Sequence, residues 1–292
     1  MCDEETVADN QNLLRQPGRL SRRQFNALTA GTALAMLLPR TAAARAVTER
    51  DVRVQTPDGL ADCYLVHPAS GTHPGVIVWP DILGLRPAFR LMGKRLAESG
   101  YSVLVVNPYY RSAEAPVVPE GASFQDDSVR GIVLPLAKEL NAETHTTDAR
   151  AFVRFLDQQT AVDTTRKIGT TGYCMGGPIT MRTAAAVPDR VGAGASFHGG
   201  RLVTDGADSP HRLVPKMKAH FLIAIAENDD ERDPEAKKTL RESFDQAGLP
   251  AEIEVYKGAM HGWCPPDSAV YNEAQAERAW SRLLVLFETN LG

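Results

Sequence analysis

Continuous apolar runs alternate along the chain with segments in which apolar residues recur at helical spacing. Gly75–Trp79 and Ser102–Val106 are short apolar runs, which is typical of strands buried on both faces of a sheet. Between them, residues 89–99 carry apolar side chains at helical spacing, and Gly100 follows as a helix stop. A strand, a helix and a strand in this order predict a β-α-β unit with parallel strands.

The alternation continues to the end of the chain and predicts an α/β fold. Its elements are expected to form a single domain, with a mostly parallel, doubly wound sheet flanked by helices. An opening hairpin is predicted around the turn at residues 57–59. Further strands are predicted over 167–171, 192–197, 220–226 and 253–256, and helices over about 147–159, 178–187, 234–247 and 269–290.

The connection over residues 107–145 is long and poorly patterned, although 132–140 is compatible with a helix. Long connections at the carboxyl end of a central strand often help to wall a site. We therefore expect this segment near any functional centre, and we expect Thr146-Thr147-Asp148 to cap the helix that follows it.

Residues 1–46 differ from the rest and are expected to stand outside the folded domain. A polar stretch precedes Arg22-Arg23, an apolar run over 27–38 and the small-residue end Ala44-Arg45-Ala46. This order resembles a twin-arginine export signal, and the apolar run is shorter than the ~20 residues of a membrane span. We predict cleavage at Ala44-Arg45-Ala46, an exported mature domain over 47–292 without a stable membrane anchor, and the export machinery as partner of residues 21–46. The alternative is an amphipathic N-terminal helix with a chance arginine pair.

The amino-acid composition argues against several classes of function. The 292 residues are 43% hydrophobic and 23% charged, with a net charge of −4, so no basic surface indicates nucleic acid or an anionic membrane as a partner. The four cysteines, Cys2, Cys63, Cys174 and Cys264, form no C-x-x-C pair, which argues against a zinc site or a thioredoxin-like centre. Cys63 lies in a strand run, where we expect it to pack in the core.

The motif Gly172-Tyr173-Cys174-Met175-Gly176-Gly177 lies between a predicted strand and a predicted helix. A strand that turns into a helix within three residues forces the middle residue into a strained conformation, which small neighbours on both sides permit. Cys174 would then stand at the top of the sheet and at a helix N-terminus, which favours a thiolate and a nearby oxyanion. The alternative is a glycine-rich turn with a buried cysteine.

An acid and a histidine follow Cys174 in the order expected of a catalytic triad. Asp229 comes after one predicted strand and His261 after the last one, and the carboxyl ends of parallel strands meet at one edge of a sheet. A thiol, an imidazole and an orienting carboxylate suit acyl transfer. Asp230 remains an alternative to Asp229, and a plain loop position remains the alternative for His261.

Several separated stretches together resemble the dienelactone hydrolase family of α/β-hydrolases, which commonly carries a cysteine nucleophile. The resemblance covers residues 50–290 and rests on Trp79-Pro80-Asp81-Ile82-Leu83-Gly84, the Cys174 motif, Glu227-Asn228-Asp229, His261-Gly262-Trp263 and residues 271–280. It implies an α/β-hydrolase fold and cleavage of a carboxylic ester or lactone.

The resemblance also implies roles for residues around the triad. It places the oxyanion hole at the backbone N–H groups of Ile82 and Met175, and elbow geometry independently supports Met175. Asp81 stands where relatives often have a glutamate that modulates the thiol. Relatives that cleave dienelactone also have an arginine shortly after the histidine to hold a substrate carboxylate, but this chain has none there.

Side chains that contact substrate are less well defined by the sequence. Arg111 and Arg130 are possible replacements for the missing arginine, or solvated surface charges. Trp263 is expected either to line an apolar substrate pocket or to pack beside His261, and His198 either to support the site or to satisfy its own loop.

The resulting hypothesis is an exported cysteine hydrolase that needs no cofactor or metal, because the thiol and the oxyanion hole supply the chemistry. The rivals are a non-catalytic ligand-binding protein on a hydrolase scaffold and, with less support, a redox-sensing thiol.

Overall fold

The computed structural model describes residues 4–14 and 44–292. The arginine pair and the apolar run of the predicted export signal lie outside these residues. No helix in the described ranges is both long enough and apolar enough to cross a bilayer.

An eight-stranded sheet organises the domain, in the order β1-β2-β4-β3-β5-β6-β7-β8. β1 and β2 form the predicted hairpin, β2 pairs antiparallel with β4, and the remaining neighbours are parallel. The strands are β1 (Val47–Thr56), β2 (Gly59–Pro68), β3 (Gly75–Trp79), β4 (Ser102–Val106), β5 (Ile168–Tyr173), β6 (Val191–Phe197), β7 (His220–Ala226) and β8 (Ala251–Tyr256).

Helices cover both faces of this sheet, which confirms the doubly wound α/β architecture. The helices are α1 (Glu4–Leu14), α2 (Pro87–Glu98), α3 (Asp127–Lys138), α4 (Ala142–Asp157), α5 (Gly176–Ala186), a 3-10 helix (Pro210–Lys216), α6 (Glu227–Arg232), α7 (Ala236–Ala247) and α8 (Glu273–Asn290).

Two apolar layers hold the helices on the sheet. On one face, Phe89 of α2 and Phe287 of α8 are fully buried against the strands. On the other face, Phe152 of α4, Ile179 of α5 and Phe244 of α7 form the second layer, which also contains Cys63. Burial of each such side chain stabilises the fold by about 1.5–3 kcal/mol, and Cys63 has the expected packing role.

Two elements differ from the sequence-based expectations. α4 begins at Ala142 rather than after Thr146-Thr147-Asp148, because the Asn141 side chain accepts hydrogen bonds from the N–H groups of Glu143 and Thr144 and forms a capping box. Residues Glu4–Leu14 form α1, which contacts the domain, although residues 1–46 were expected to stand outside it.

Candidate active site

The turn from β5 into α5 positions Cys174 as the motif predicts. Cys174 has φ 51°, a strained left-handed conformation for a residue with a side chain. The flanking glycines make the turn possible: a Cβ on Gly172 would lie 2.1 Å from the Gly176 carbonyl oxygen, and one on Gly176 would lie 2.3 Å from the Trp79 carbonyl oxygen. The same close approach brings the end of β3 beside the thiol.

His261 joins the thiol to a carboxylate. Its Nδ1 lies 2.7 Å from Asp229 Oδ2, and its side chain also hydrogen-bonds Cys174. Because Nδ1 is engaged by the carboxylate, the ring presents Nε2 to the sulfur. Cys174 and His261 are 3% and 2% exposed, so both groups are largely desolvated.

Asp229 and His261 change each other's pKa. Burial by itself lowers the pKa of His261, but the charges of Asp229 and Cys174 and the hydrogen bonds to both raise it to about 10. Burial likewise opposes ionisation of Asp229, but the imidazolium lowers its pKa. These interactions favour the protonated form of His261 at neutral pH.

The neighbours of Asp229 show why this acid faces the histidine. Asp230 points away and pairs with Lys237 at 2.6 Å. Asn228 accepts a 2.8 Å hydrogen bond from the backbone N–H of His261, which ties the histidine loop to α6. The structure thus brings together Cys174, His261 and Asp229, and it leaves Asp230 out.

Ile82 and Met175 lie on the two loops that flank the thiol. In the described residues, neither backbone N–H donates to another protein group, so both are available to an oxyanion. The Tyr109 hydroxyl donates to the Ile82 carbonyl oxygen at 2.8 Å and contacts Met175 Sδ at 3.3 Å. Tyr109 therefore links the two loops that carry the predicted donors.

Asp81 belongs to a buried ion cluster beside the thiol. Arg86 donates to both oxygens of Asp81 and to both oxygens of Asp267, at 2.6–2.9 Å. The Leu83 N–H also donates to Asp81, at 2.9 Å. Burial raises the pKa of Asp81, an effect that Arg86 opposes and that the Cys174 charge reinforces. The predicted thiol-modulating carboxylate is thus near the thiol but is held by an arginine.

His198 and Trp263 lie behind the histidine. Both side chains are fully buried, with ring centroids 5.0 Å apart, and the His198 ring lies 5.3 Å from the His261 ring. Burial and then the His261 charge lower the pKa of His198, so it is neutral. Because both side chains are buried, their positions favour packing beside His261 for Trp263 and a supporting role for His198. Neither side chain lies on an exposed surface that could contact substrate.

The 107–145 segment reaches the site, as its position along the chain predicted. Val118 and two residues of α3, Val129 and Val133, form a small apolar cluster with Ile82, against which Met175 packs. The cluster places an apolar wall next to the predicted oxyanion donors.

A model of the dienelactone hydrolase family matches residues 61–291. This chain belongs to the dienelactone hydrolase family. It is therefore a hydrolase with the α/β-hydrolase fold, as the resemblance implied.

Named relatives and solved structures agree with the family assignment. A Methylorubrum extorquens protein named "Putative carboxymethylenebutenolidase" is 27% identical over 94% of this chain and 95% of its own length. The carboxymethylenebutenolidase of Rhodococcus opacus is 27% identical over 77% of this chain and 86% of its own. A dienelactone hydrolase-like promiscuous phosphotriesterase from metagenomic libraries shares the fold, with TM-score 0.70 and 21% identity over 85% of this chain and 100% of that one.

The two arginines considered as replacements for the family arginine are both engaged. Arg111 binds Asp58 and Asp148 and is 18% exposed at its side chain, so it is not the solvated surface charge that was the alternative. Arg130 binds Asp127 and the Phe124 carbonyl oxygen.

α1 contacts the same edge of the domain. Asp9 accepts hydrogen bonds from Asn228 at 3.0 Å and from Arg232 at 2.8 Å. Asn10 lies 3.5 Å from the His261 carbonyl oxygen. These contacts explain why a polar segment is ordered as a helix against the loops that carry the triad.

Four residues of this site were missed in the sequence, namely Arg86, Asp267, Tyr109 and Asn228. Their roles depend on partners distant along the chain, as in the pairing of Arg86 with Asp267. Asn228 alone had a local signal, since it lies beside Asp229 in a recognised motif. Across the described residues, no group of three or more histidine, cysteine or acidic side chains is arranged to bind a metal.

Proposed function

We propose that this chain cleaves carboxylic esters or lactones through a thioester on Cys174, with His261 and Asp229 completing the triad. The observation that carries this is the hydrogen-bonded series from Cys174 through His261 to Asp229 at the end of a strained elbow. A thiolate paired with an imidazolium is the reactive form of a cysteine nucleophile.

The first half-reaction uses the proton stored on His261. The thiolate attacks the carbonyl carbon, and the resulting oxyanion accepts hydrogen bonds from the N–H groups of Ile82 and Met175. Collapse breaks the bond to the alcohol oxygen, which takes the proton from His261. The product is an acyl-thioester, and in a lactone the new alcohol remains on the acyl chain.

The second half-reaction returns the site to its start. Neutral His261 takes a proton from water as the water oxygen attacks the thioester, and the same oxyanion site stabilises the second tetrahedral intermediate. Collapse releases the carboxylic acid and the thiolate, and His261 is again protonated. Asp229 fixes the ring and stabilises each imidazolium.

A small activated ester tests the proposal directly. We expect turnover by the full chain, loss of it in Cys174→Ala and His261→Ala, and an acyl adduct on Cys174 detected by mass spectrometry after rapid quenching. Cys63→Ala is the matched control, because it removes a buried thiol in β2 and should retain both activity and inactivation by a thiol alkylator. Ester turnover at the wild-type rate in Cys174→Ala would contradict the thioester route.

We further propose that residues 1–46 direct export by the twin-arginine route to the periplasm or beyond, with cleavage at Ala44-Arg45-Ala46. The support is the sequence pattern around Arg22-Arg23. Replacement of both arginines by lysine should retain the protein inside the cell, and unchanged export of that variant would exclude this route.

A further inference from the structure

Arg86 has no hydrogen-bond donor left. Nε and Nη2 donate to Asp267, Nη1 and Nη2 donate to Asp81, and the remaining Nη1 hydrogen points to the Gly84 carbonyl oxygen at 3.3 Å. A guanidinium has five N–H groups, and all five are used here. One face of the group also lies over the Phe89 ring, with Cζ 4.9 Å from the centroid.

The cluster presents negative charge toward solvent. Both oxygens of each carboxylate accept from the guanidinium, so two carboxylates share one guanidinium and the cluster has a formal net charge of about −1. The side chain of Arg86 is 7% exposed, whereas those of Asp81 and Asp267 are 13% and 19% exposed. The two acidic side chains are thus more accessible than the guanidinium that they hold.

Three other arginines of the described residues also lie close to acids. Arg111 and Arg130 each have an acidic partner. Arg232 lies 4.0 Å from Asp229 Oδ1, on the side of the imidazole that faces away from the sulfur. A carboxylate next to the scissile carbonyl therefore faces the acids Asp81 and Asp267 beside an Arg86 whose donors are already used.

We propose that Asp267, by saturating Arg86, makes this site select uncharged esters or lactones over those that carry a carboxylate near the scissile bond. This inference deepens the proposed function and rests on it. It assigns Asp267, which lies six positions after His261, as a specificity-determining residue together with Asp81 and Arg86.

A matched substrate pair tests the assignment. A butenolide that bears an exocyclic carboxylate is compared with its primary-amide isostere, with the full-length wild type, Asp267→Ala and Asp267→Asn. We expect the wild type to have at least about tenfold higher kcat/KM for the amide. Asp267→Ala frees two N–H donors of Arg86 to bind the substrate carboxylate. Because one charge-assisted hydrogen bond is enough for an effect of about tenfold, the ratio of kcat/KM for the carboxylate to kcat/KM for the amide should rise about tenfold or more. Asp267→Asn should move it in the same direction by removing the charge alone.

Asp189→Asn is the charge-matched control. Asp189 has an 83% exposed side chain paired with Lys218, so the same loss of one negative charge should leave the ratio unchanged. Near-UV circular dichroism verifies that each variant is folded. If Asp267→Ala does not fold, Asp267→Asn still tests the inference. A wild type that prefers the carboxylate, or a ratio unchanged in a folded Asp267 variant, overturns the inference while ester cleavage itself stands. Absence of turnover of both compounds, with no acyl adduct on Cys174, overturns the inference together with the proposed function.

Discussion

Two carboxylates lie near Cys174, Asp229 behind His261 and Asp81 on the β3 loop, and they differ in the cation that each one faces. Asp229 faces His261, an imidazole that can accept and give up a proton. Asp81 faces Arg86, whose charge is permanent and which Asp267 also holds. The difference shows how one sheet edge supports both a proton-transfer pair and a fixed pair. The first is suited to catalysis, and the second fixes the geometry of the β3 loop.

The largest effect is expected for Asp229→Asn. The asparagine keeps the shape but lets the ring adopt the wrong tautomer and leaves the imidazolium unsupported, so kcat/KM for an activated ester should fall by about 10⁴. The same change at the adjacent Asp230, which pairs with Lys237, is the matched control and should have little effect on the rate. Similar losses at both positions would show that the acid is not specifically Asp229.

Arg86→Met is expected to affect stability rather than proton transfer. It leaves two carboxylates that are only 13% and 19% exposed without a counter-charge, which should lower the free energy of unfolding by about 3–5 kcal/mol in urea denaturation. Arg53→Met removes an exposed pair with Glu114, whose side chains are 58% and 71% exposed, and should change it by only about 0–1 kcal/mol. If both variants lost equally little free energy of unfolding, the pair of Asp81 and Arg86 would not stabilise the β3 loop.

The proton on His261 predicts a pH dependence of stability. Its pKa is raised from 6.5 to about 10 on folding, so its contribution is complete below the unfolded value and is lost as the pH rises through about 10. The free energy of unfolding of the wild type should therefore fall between pH 7 and 10, by an amount on the order of a few kcal/mol. In His261→Gln this part of the decline should be missing, and an identical decline in both proteins would contradict the shifted pKa.

Tyr109→Phe is expected to have the smallest effect. Loss of the hydroxyl that binds the Ile82 carbonyl oxygen removes about 1 kcal/mol of hydrogen bonding and loosens the oxyanion loop, so kcat should fall by about three- to tenfold at nearly unchanged KM. Tyr110→Phe is matched in chemistry, because its hydroxyl is also buried and binds Thr56 and Asp148. Tyr110→Phe should lower the free energy of unfolding but leave kcat unchanged. If kcat fell equally in both variants, Tyr109 would have no specific role in positioning the oxyanion loop.

Much of the fold was predictable because its signals are local. The buried strands Gly75–Trp79 and Ser102–Val106 were predicted with the bounds that the structure has, since both faces of each strand are covered and the sequence is apolar throughout. The start of α4 was missed because Asn141, five residues before the expected cap region, satisfies the first N–H groups of the helix. α1 was missed because its order depends on partners more than 200 residues away, such as Arg232.

The features of the site likewise divide into those that local sequence predicted and those that depended on tertiary contacts. Cys174 and its strained turn follow from Gly172 and Gly176, because only residues without a Cβ permit the contacts at 2.1 and 2.3 Å. The sequence left Asp230 open as an alternative to Asp229, and the structure added a distinction between them, which is the side of α6 on which each acid lies. The sequence showed that the family arginine after His261 is absent. Nothing local indicated that Asp267 would accept hydrogen bonds from Arg86.

The sequence by itself determined the order of strands and helices, the elbow at Cys174 and the carboxyl-end positions of Asp229 and His261, because turn chemistry and apolar periodicity act between near neighbours. Only the tertiary structure decided which charges pair, as in Asp81 and Asp267 on Arg86, and which rings pack behind His261. Ion pairs and ring contacts depend on distances of a few ångströms between residues that are far apart in the chain, and packing of the whole domain sets those distances.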